Sequence, residues 1–215
     1  MLKNPMTGQP MEVTQRLDLI PVLRAVRSGD PVQVDGQLTE WARTQAVPVI
    51  YPLGFEASDT EDLHAEIRFM WDVEHVYFAA EVEDNEFYQP YAGDIVWSAD
   101  NLEVFLDEWE WSLTLTTKGP EVFLYQGPGR ESETVNTVVK LAASRDGRRT
   151  TYEAAFPASE VAPLKLESGN SFRFSVIVND LDPSTPNRPR HWLELTPGIG
   201  NKEPNSPMTK VLLQE

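Results

Sequence analysis

The stretch His64-Ala65-Glu66-Ile67-Arg68-Phe69-Met70-Trp71 decides the fold class, together with Val76-Tyr77-Phe78-Ala79-Ala80-Glu81-Val82-Glu83 after it. Ala65, Ile67, Phe69 and Trp71 fall on one side of an extended chain, and His64, Glu66, Arg68 and Met70 on the other. Val76, Phe78, Ala80 and Val82 alternate in the same way with Tyr77, Ala79, Glu81 and Glu83. Successive side chains of a strand point to opposite faces, so this order predicts two strands of one sheet with one face in a core. Asp72-Val73-Glu74-His75 reads as the hairpin between them.

Working outward, further strand signals fall at 102–106, 111–117, 122–125, 172–178, 191–195 and 210–213. Residues 135–143 and 150–156 flank Arg145-Asp146-Gly147-Arg148-Arg149 as a hairpin. Residues 47–50 contain Pro48, which places that short strand near an edge. Asp35-Gly36 opens a turn, Glu40-Trp41-Ala42 begins a short helical turn, and 157–161 form a capped single turn. Residues 1–16 read as a loose arm and 17–26 as a short helix broken or started at Pro21. Ten or so strands with small helical pieces predict an all-β, jelly-roll-like sandwich of two antiparallel sheets. Residues 1–31 are expected as an arm or short helix packed on a single domain spanning 32–215. The longest loops, 84–101, 126–134, 179–190 and 196–209, are where the functional residues of a sandwich would lie.

Composition narrows the function classes. The chain has 215 residues, 40% of them hydrophobic, which suits one large all-β domain. Seventeen prolines and twelve glycines argue against a helical bundle. A formal net charge of −16 opposes binding to nucleic acid phosphates and to anionic lipid. No run approaches the ~20 apolar residues of a membrane-spanning helix, so no membrane insertion is expected. The absence of cysteine removes disulfides, thiol catalysis and thiolate metal sites. The N-terminal residues lack the apolar core of an export leader. An extracellular or periplasmic location therefore requires that a leader was removed.

No glycine-flanked nucleophile elbow, phosphate loop or dinucleotide fingerprint occurs. His64, His75 and His191 are too scattered to define a metal site. Glu103, Glu108 and Glu110 supply carboxylates, but nearness in sequence does not make a glycosidase pair. The loops instead carry aromatics beside polar residues, which points to binding without turnover. Trp97 follows the Gly93-Asp94 turn and precedes Asp100 and Glu103. An indole there can take the apolar face of a sugar ring and leave its hydroxyls to the polar neighbours. Tyr88 and Tyr91 offer further walls. Trp109 and Trp111 share a face, as a surface stripe or as core. Asp180 and Asp182, two apart, offer hard oxygen ligands for calcium, with Asp84 or Asp100 joining from a neighbouring loop. The same aspartates also suit turns that accept backbone hydrogen bonds.

In order and spacing these segments resemble the family 9 carbohydrate-binding modules and the wider sugar- or haem-binding sandwich superfamily. The matching pieces are Val34-Asp35-Gly36-Gln37-Leu38-Thr39-Glu40-Trp41, Arg68-Phe69-Met70-Trp71-Asp72, Val82-Glu83-Asp84, Trp97-Ser98-Ala99-Asp100, Leu102-Glu103-Val104-Phe105-Leu106-Asp107, Tyr152-Glu153-Ala154-Ala155-Phe156-Pro157 and Phe174-Ser175-Val176-Ile177-Val178-Asn179-Asp180. The resemblance implies a β-sandwich that binds sugars, often polysaccharide chain ends, and often carries structural calcium. It implies that Trp97 is one member of an aromatic pair around the sugar and that Glu103 accepts its hydroxyls. The second tryptophan of the pair is expected near Asn201, where Gly200-Asn201-Lys202-Glu203 offers none. The family's arginine after Asp107 is replaced by Leu113 or Thr114. Asn201 and Lys202, with Tyr88 and Tyr91, are then the candidate walls. Two other readings stay open: a structural or protein-interaction sandwich that has lost sugar binding, and a small-ligand or haem-binding one.

Overall fold

A computed structural model describes residues 22–30, 32–53, 62–184, 191–201 and 206–215. Its strands are β1 (Val22–Arg27), β2 (Val47–Val49), β3 (Tyr51–Leu53), β4 (Leu63–Trp71), β5 (His75–Asp84), β6 (Asn101–Leu106), β7 (Trp109–Thr116), β8 (Gly119–Gln126), β9 (Glu133–Thr134), β10 (Lys140–Asp146), β11 (Arg149–Pro157), β12 (Ser171–Asp180), β13 (His191–Glu194) and β14 (Thr209–Gln214). Short 3-10 turns cover Glu40–Arg43, Gly93–Ser98 and Ala158–Val161. Among the described residues no helix is long and apolar enough to cross a membrane.

The β4–β5 hairpin forms as its alternation predicts. Ala65, Ile67, Phe69, Trp71, Val76, Phe78, Ala80 and Val82 are all buried in one core. Asp72 fixes the turn: its carboxylate accepts the Glu74 and His75 amides, each at 2.7 Å, and the Tyr77 hydroxyl at 2.7 Å. The all-β class holds, but the expected pair of separate antiparallel sheets does not. The strands hydrogen-bond in one continuous path, β10-β11-β5-β4-β1-β14-β12-β6-β7-β8-β9. The reason is β1, which runs parallel to both β14 and β4 and joins two halves that would otherwise have free edges. Residues 22–26 were expected in a helix and instead belong to this strand. Val22-Leu23-Arg24-Ala25 alternates exposed and buried side chains, a period a helix cannot use. The remainder of the expected arm, residues 1–21, lies outside the described residues.

The sheet curls over its main core, so strands far apart along it meet. Phe69 on β4 packs edge-on against Phe174 on β12 at 4.7 Å between ring centroids. Trp111 on β7 meets Phe156 on β11 at 4.9 Å. Trp109 stacks on Trp111 at 5.5 Å and an interplanar angle of 4°, and both are buried, which makes the pair core. Burying such side chains contributes roughly 1.5–3 kcal/mol each.

The opposite face of β4, β5 and β11 is covered by residues 32–43. Trp41 lies there against Met70, Tyr77, Ala79 and Ala155. Glu153 on β11, fully buried, gathers this cover: it accepts Trp41 Nε1 and the Asp35 and Gly36 amides, each at 2.9 Å. Replacing Trp41 by alanine is expected to lower the unfolding free energy by about 3–5 kcal/mol, through the cavity it leaves. Trp41→Phe keeps most of the volume but strands one Glu153 oxygen, and should cost about 1–3 kcal/mol. Urea titration followed by far-UV circular dichroism checks both; equal losses would show that Glu153 is not what the indole serves.

Candidate functional site

On β6, Leu102, Val104 and Leu106 face the core, so Glu103 and Phe105 face away from it. The same alternation turns Glu110 outward on β7, Tyr125 on β8, Ile177 and Asn179 on β12, and Trp192 on β13. Register sets these outward residues side by side: Asn179 opposite Trp192, Ile177 opposite Glu103, and Phe105 opposite Glu110. They floor a hollow of about 410 Å³, which Asp94, Trp97, Ile199 and Gly200 help to wall. The hollow lies on a sheet face, where the sequence suggested one end of a sandwich.

Trp97 reaches the hollow from the Gly93–Ser98 turn and is 43% exposed. Gln89, itself buried, holds that turn by donating from Nε2 to the Val96 and Asp100 carbonyls, both at 2.9 Å. The Gly93 amide donates to Glu121 Oε1 at 2.6 Å. The indole face is thus presented by a braced turn.

Trp192 is a second indole on the same hollow, and it is fixed from behind. Glu194, buried two residues along β13, accepts Trp192 Nε1 at 3.0 Å and the Gly200 amide at 2.9 Å on Oε1, and the Gly198 amide at 2.7 Å on Oε2. Gly200 packs so closely that a Cβ there would lie 2.5 Å from Trp192 Nε1 and 2.7 Å from Glu194 Oε1. One carboxylate therefore joins the indole to the 198–200 loop that walls the hollow.

The polar floor is ordered too. Asn179 Nδ2 donates to Glu103 Oε1 at 2.6 Å and to Asn101 Oδ1 at 2.9 Å, and Asn101 Nδ2 donates to Ser112 Oγ at 2.7 Å. Asn179 Oδ1 is buried with no hydrogen-bond partner. Burial, and then the negative charge of Glu103, pushes the Tyr125 phenol above its ordinary range, so it stays a neutral hydroxyl.

Of the residues proposed from sequence, Trp97 and Glu103 meet in this hollow. Asn201 is exposed and follows Gly200 in sequence but does not line the hollow, and Lys202 lies outside the described residues. Tyr88, 38% exposed, lines a separate, shallower hollow with Phe87 and Leu115. Tyr91 lines neither; its amide donates to Gln89 Oε1 at 3.0 Å. Trp192, Asn179 and Glu110 were not among the residues expected to contact a sugar. Alternation through His191-Trp192-Leu193-Glu194 was the available signal for Trp192, because a buried Leu193 forces its neighbours to the other face.

Behind the floor, on the core side of β12, lies a group of buried acids. Asp62, Asp180, Asp182 and His191 each bring a ligand atom within 4.8 Å of the others, and Asp84, Asp100 and Asp180 do the same. The four aspartates proposed from sequence, Asp180, Asp182, Asp84 and Asp100, are thus all in this region. Asp62 and His191 were missed, because a 4-residue strand far along the chain brings His191 opposite Asp180. His191 Nε2 lies 2.8 Å from Asp180 Oδ2 and 3.4 Å from Asp62 Oδ2. Asp100 accepts the Tyr88 and Leu181 amides, while Asp84 accepts the Glu86 amide and meets Arg145 at 3.3 Å. Asp180 Oδ1 and Asp182 Oδ1 are buried with no hydrogen-bond partner.

Burial pushes Asp100 up to about 9 against the pull of the Tyr88 amide, with the charges of Asp180 and Asp84 adding to the rise. Burial first, then neighbouring aspartate charge, lifts Asp84 and Asp182 to about 6 each. Burial pulls the His191 imidazole down, but the Asp180 carboxylate more than offsets it and holds the ring above its ordinary range. The aspartate shifts share an origin in burial of several carboxylates close together, and the His191 shift answers to the charge of those carboxylates.

Replacing Glu194 by glutamine puts an NH₂ group among three N–H donors. The expected result is a loss of about 1–3 kcal/mol in stability and a displaced Trp192 indole N–H signal in a ¹H–¹⁵N spectrum. An unmoved Trp192 signal in a folded Glu194→Gln protein would show that the indole is held by something else.

The sequence profile described as "Carbohydrate family 9 binding domain-like" matches residues 34–198. No curated protein matches the chain. Among solved structures, a family 9 carbohydrate-binding module from Caldicellulosiruptor kristjanssonii in complex with cellotriose superposes with a TM-score of 0.65 at 18% identity, covering 89% of this chain and 93% of that one. A structure of a family 9 module from the same organism in complex with glucose gives 0.65 at 17% identity, covering 89% and 95%. A Bacteroides uniformis protein gives 0.66 at 11% identity, covering 91% and 100%. At these identities the superpositions speak for the fold, and the profile match over most of the length settles the kinship: this chain belongs to the carbohydrate family 9 binding domain-like family.

Proposed function

We propose that the chain binds carbohydrate noncovalently in the hollow between Trp97 and Trp192. The observation that carries this reading is the pair of indoles on one 410 Å³ hollow whose floor mixes Phe105 and Ile177 with the polar Glu103, Glu110 and Asn179. Apolar C–H faces of a sugar ring would lie against the indoles, and its hydroxyls would meet Glu103, Glu110 and Asp94. Trp192 takes the place of the tryptophan that the family pattern puts near Asn201. The Caldicellulosiruptor kristjanssonii family 9 module structures were obtained in complex with cellotriose and with glucose, which makes glucose and cello-oligosaccharides the first ligands to try. The role is one of holding a sugar, not of turning it over.

Calcium is the structural ion this reading adds. Asp84, Asp100 and Asp180 each offer a ligand oxygen within 4.8 Å of the others, beside a small space of about 10 Å³ that they also line, and Asp180 Oδ1 is buried with no hydrogen-bond partner. A carboxylate oxygen that accepts one N–H keeps a lone pair for a metal, so Asp84 and Asp100 fit as oxygen ligands, with Asp182 behind Asp180.

Titration calorimetry with cello-oligosaccharides tests the sugar site. Trp97→Ala and Trp192→Ala are each expected to weaken binding about tenfold or more, equivalent to about 1.4 kcal/mol or more. Glu103→Gln should weaken it with the fold intact. No heat and no chemical-shift change from any neutral oligosaccharide at millimolar concentration would favour a protein-interaction module instead. Separately, chelation should lower the melting temperature and calcium should restore it, since an ion at 100 times its dissociation constant stabilises by about 2.7 kcal/mol.

A further inference from the structure

The buried acids hold more donors than one oxygen-bound ion uses. Asp84, Asp100 and Asp180 form one group, and Asp62, Asp180, Asp182 and His191 form another that shares only Asp180 with it. The second group differs in chemistry. It contains an imidazole, and calcium and magnesium take oxygen ligands, whereas imidazole beside carboxylates suits first-row divalent ions such as zinc, cobalt and manganese. It also holds an unmet demand: Asp182, 4% exposed, has a buried Oδ1 with no hydrogen-bond partner. His191 is fully buried and lies between Asp180 and Asp62, so it is walled in with carboxylates and does not face solvent.

We infer that Asp62, Asp180, Asp182 and His191 form a second cation position, which takes a zinc-class divalent ion through one imidazole nitrogen and carboxylate oxygens. Asp180 then lies between two positions, its carboxylate facing the all-oxygen group on one side and His191 on the other. The register makes this position mechanically relevant. On the β12–β13 ladder Asp180 pairs with His191, and the adjacent pair is Asn179 with Trp192. An ion that ties Asp180 to His191 therefore clamps the two strands whose neighbouring residues floor and wall the sugar hollow. This consequence for sugar rests on the proposed function; the ion itself does not.

The test uses the whole chain, stripped of metal and dialysed at neutral pH against zinc, calcium, or both, with bound metal counted by atomic emission in the absence of sugar. With both metals present, one zinc and one calcium per chain are expected. His191→Gln and Asp182→Asn should weaken zinc at least about tenfold while calcium binding persists. Because either variant could unfold, the unaltered chain is also loaded with cobalt(II). Visible bands distinct from those of hydrated cobalt, and paramagnetic shifting of the His191 ring protons, are expected. The inference is overturned if zinc and calcium displace one another from a single position, if folded His191→Gln keeps its zinc, if no zinc binds at millimolar concentration, or if cobalt shows only its hydrated spectrum. Loaded protein should also bind cello-oligosaccharide about fivefold or more tightly than protein carrying calcium alone. Zinc bound at the expected stoichiometry with no sugar bound under any condition would sink the sugar reading and leave the cation position standing.

Discussion

Strand β12 hydrogen-bonds to β6 along one side and to β14 and then β13 along the other, and its period-two alternation cannot be shifted without reversing every side chain it carries. Phe174, Val176 and Val178 are committed to the core, where Phe174 meets Phe69 and Phe78 from the other half of the sheet. That commitment fixes the other face. Ile177 and Asn179 must line the outward hollow, and Asp180 must fall at the core end among the acids. Hydrophobic burial, a non-directional force, thereby places directional groups to within hydrogen-bonding tolerance.

The curl of the sheet follows from the same economy of edges. β1 occupies the gap between β14 and β4 and lets the backbone of both halves be satisfied in one ladder, with Trp71 Nε1 donating to the Gln214 carbonyl at 2.8 Å to close the seam. On one outer face, residues 32–43 are tied down by Glu153. On the other, no comparable segment covers β6, β7, β12 and β13 among the described residues, and there the indoles stand at the hollow.

The strands with strict alternation, β4, β5, β6 and β12, were legible in the sequence because each buries a full face. β1 was not, because Pro21 and the apolar residues before it imitate a helix start, and because parallel pairing with β14 depends on residues some 190 positions away. Trp97 and Glu103 could be found from a local pattern, an aromatic between a Gly-Asp turn and a strand. Trp192 could not be separated from a core tryptophan without knowing which face of β13 Leu193 takes. His191 shows the limit most plainly: its partners Asp62 and Asp180 come from two other elements, and no spacing rule connects them.

Carbohydrate held between two indoles on one sheet face is the central claim, and the tryptophans themselves can report on it. The chain has six, of which Trp41, Trp71, Trp109 and Trp111 are buried in the fold while Trp97 and Trp192 line the hollow. In a ¹H–¹⁵N spectrum of the indole N–H groups, titration with cellotriose should move the Trp97 and Trp192 signals along one saturable curve and leave the other four in place. Shifts confined to other residues, or no saturable shift at either Trp97 or Trp192, would contradict the account.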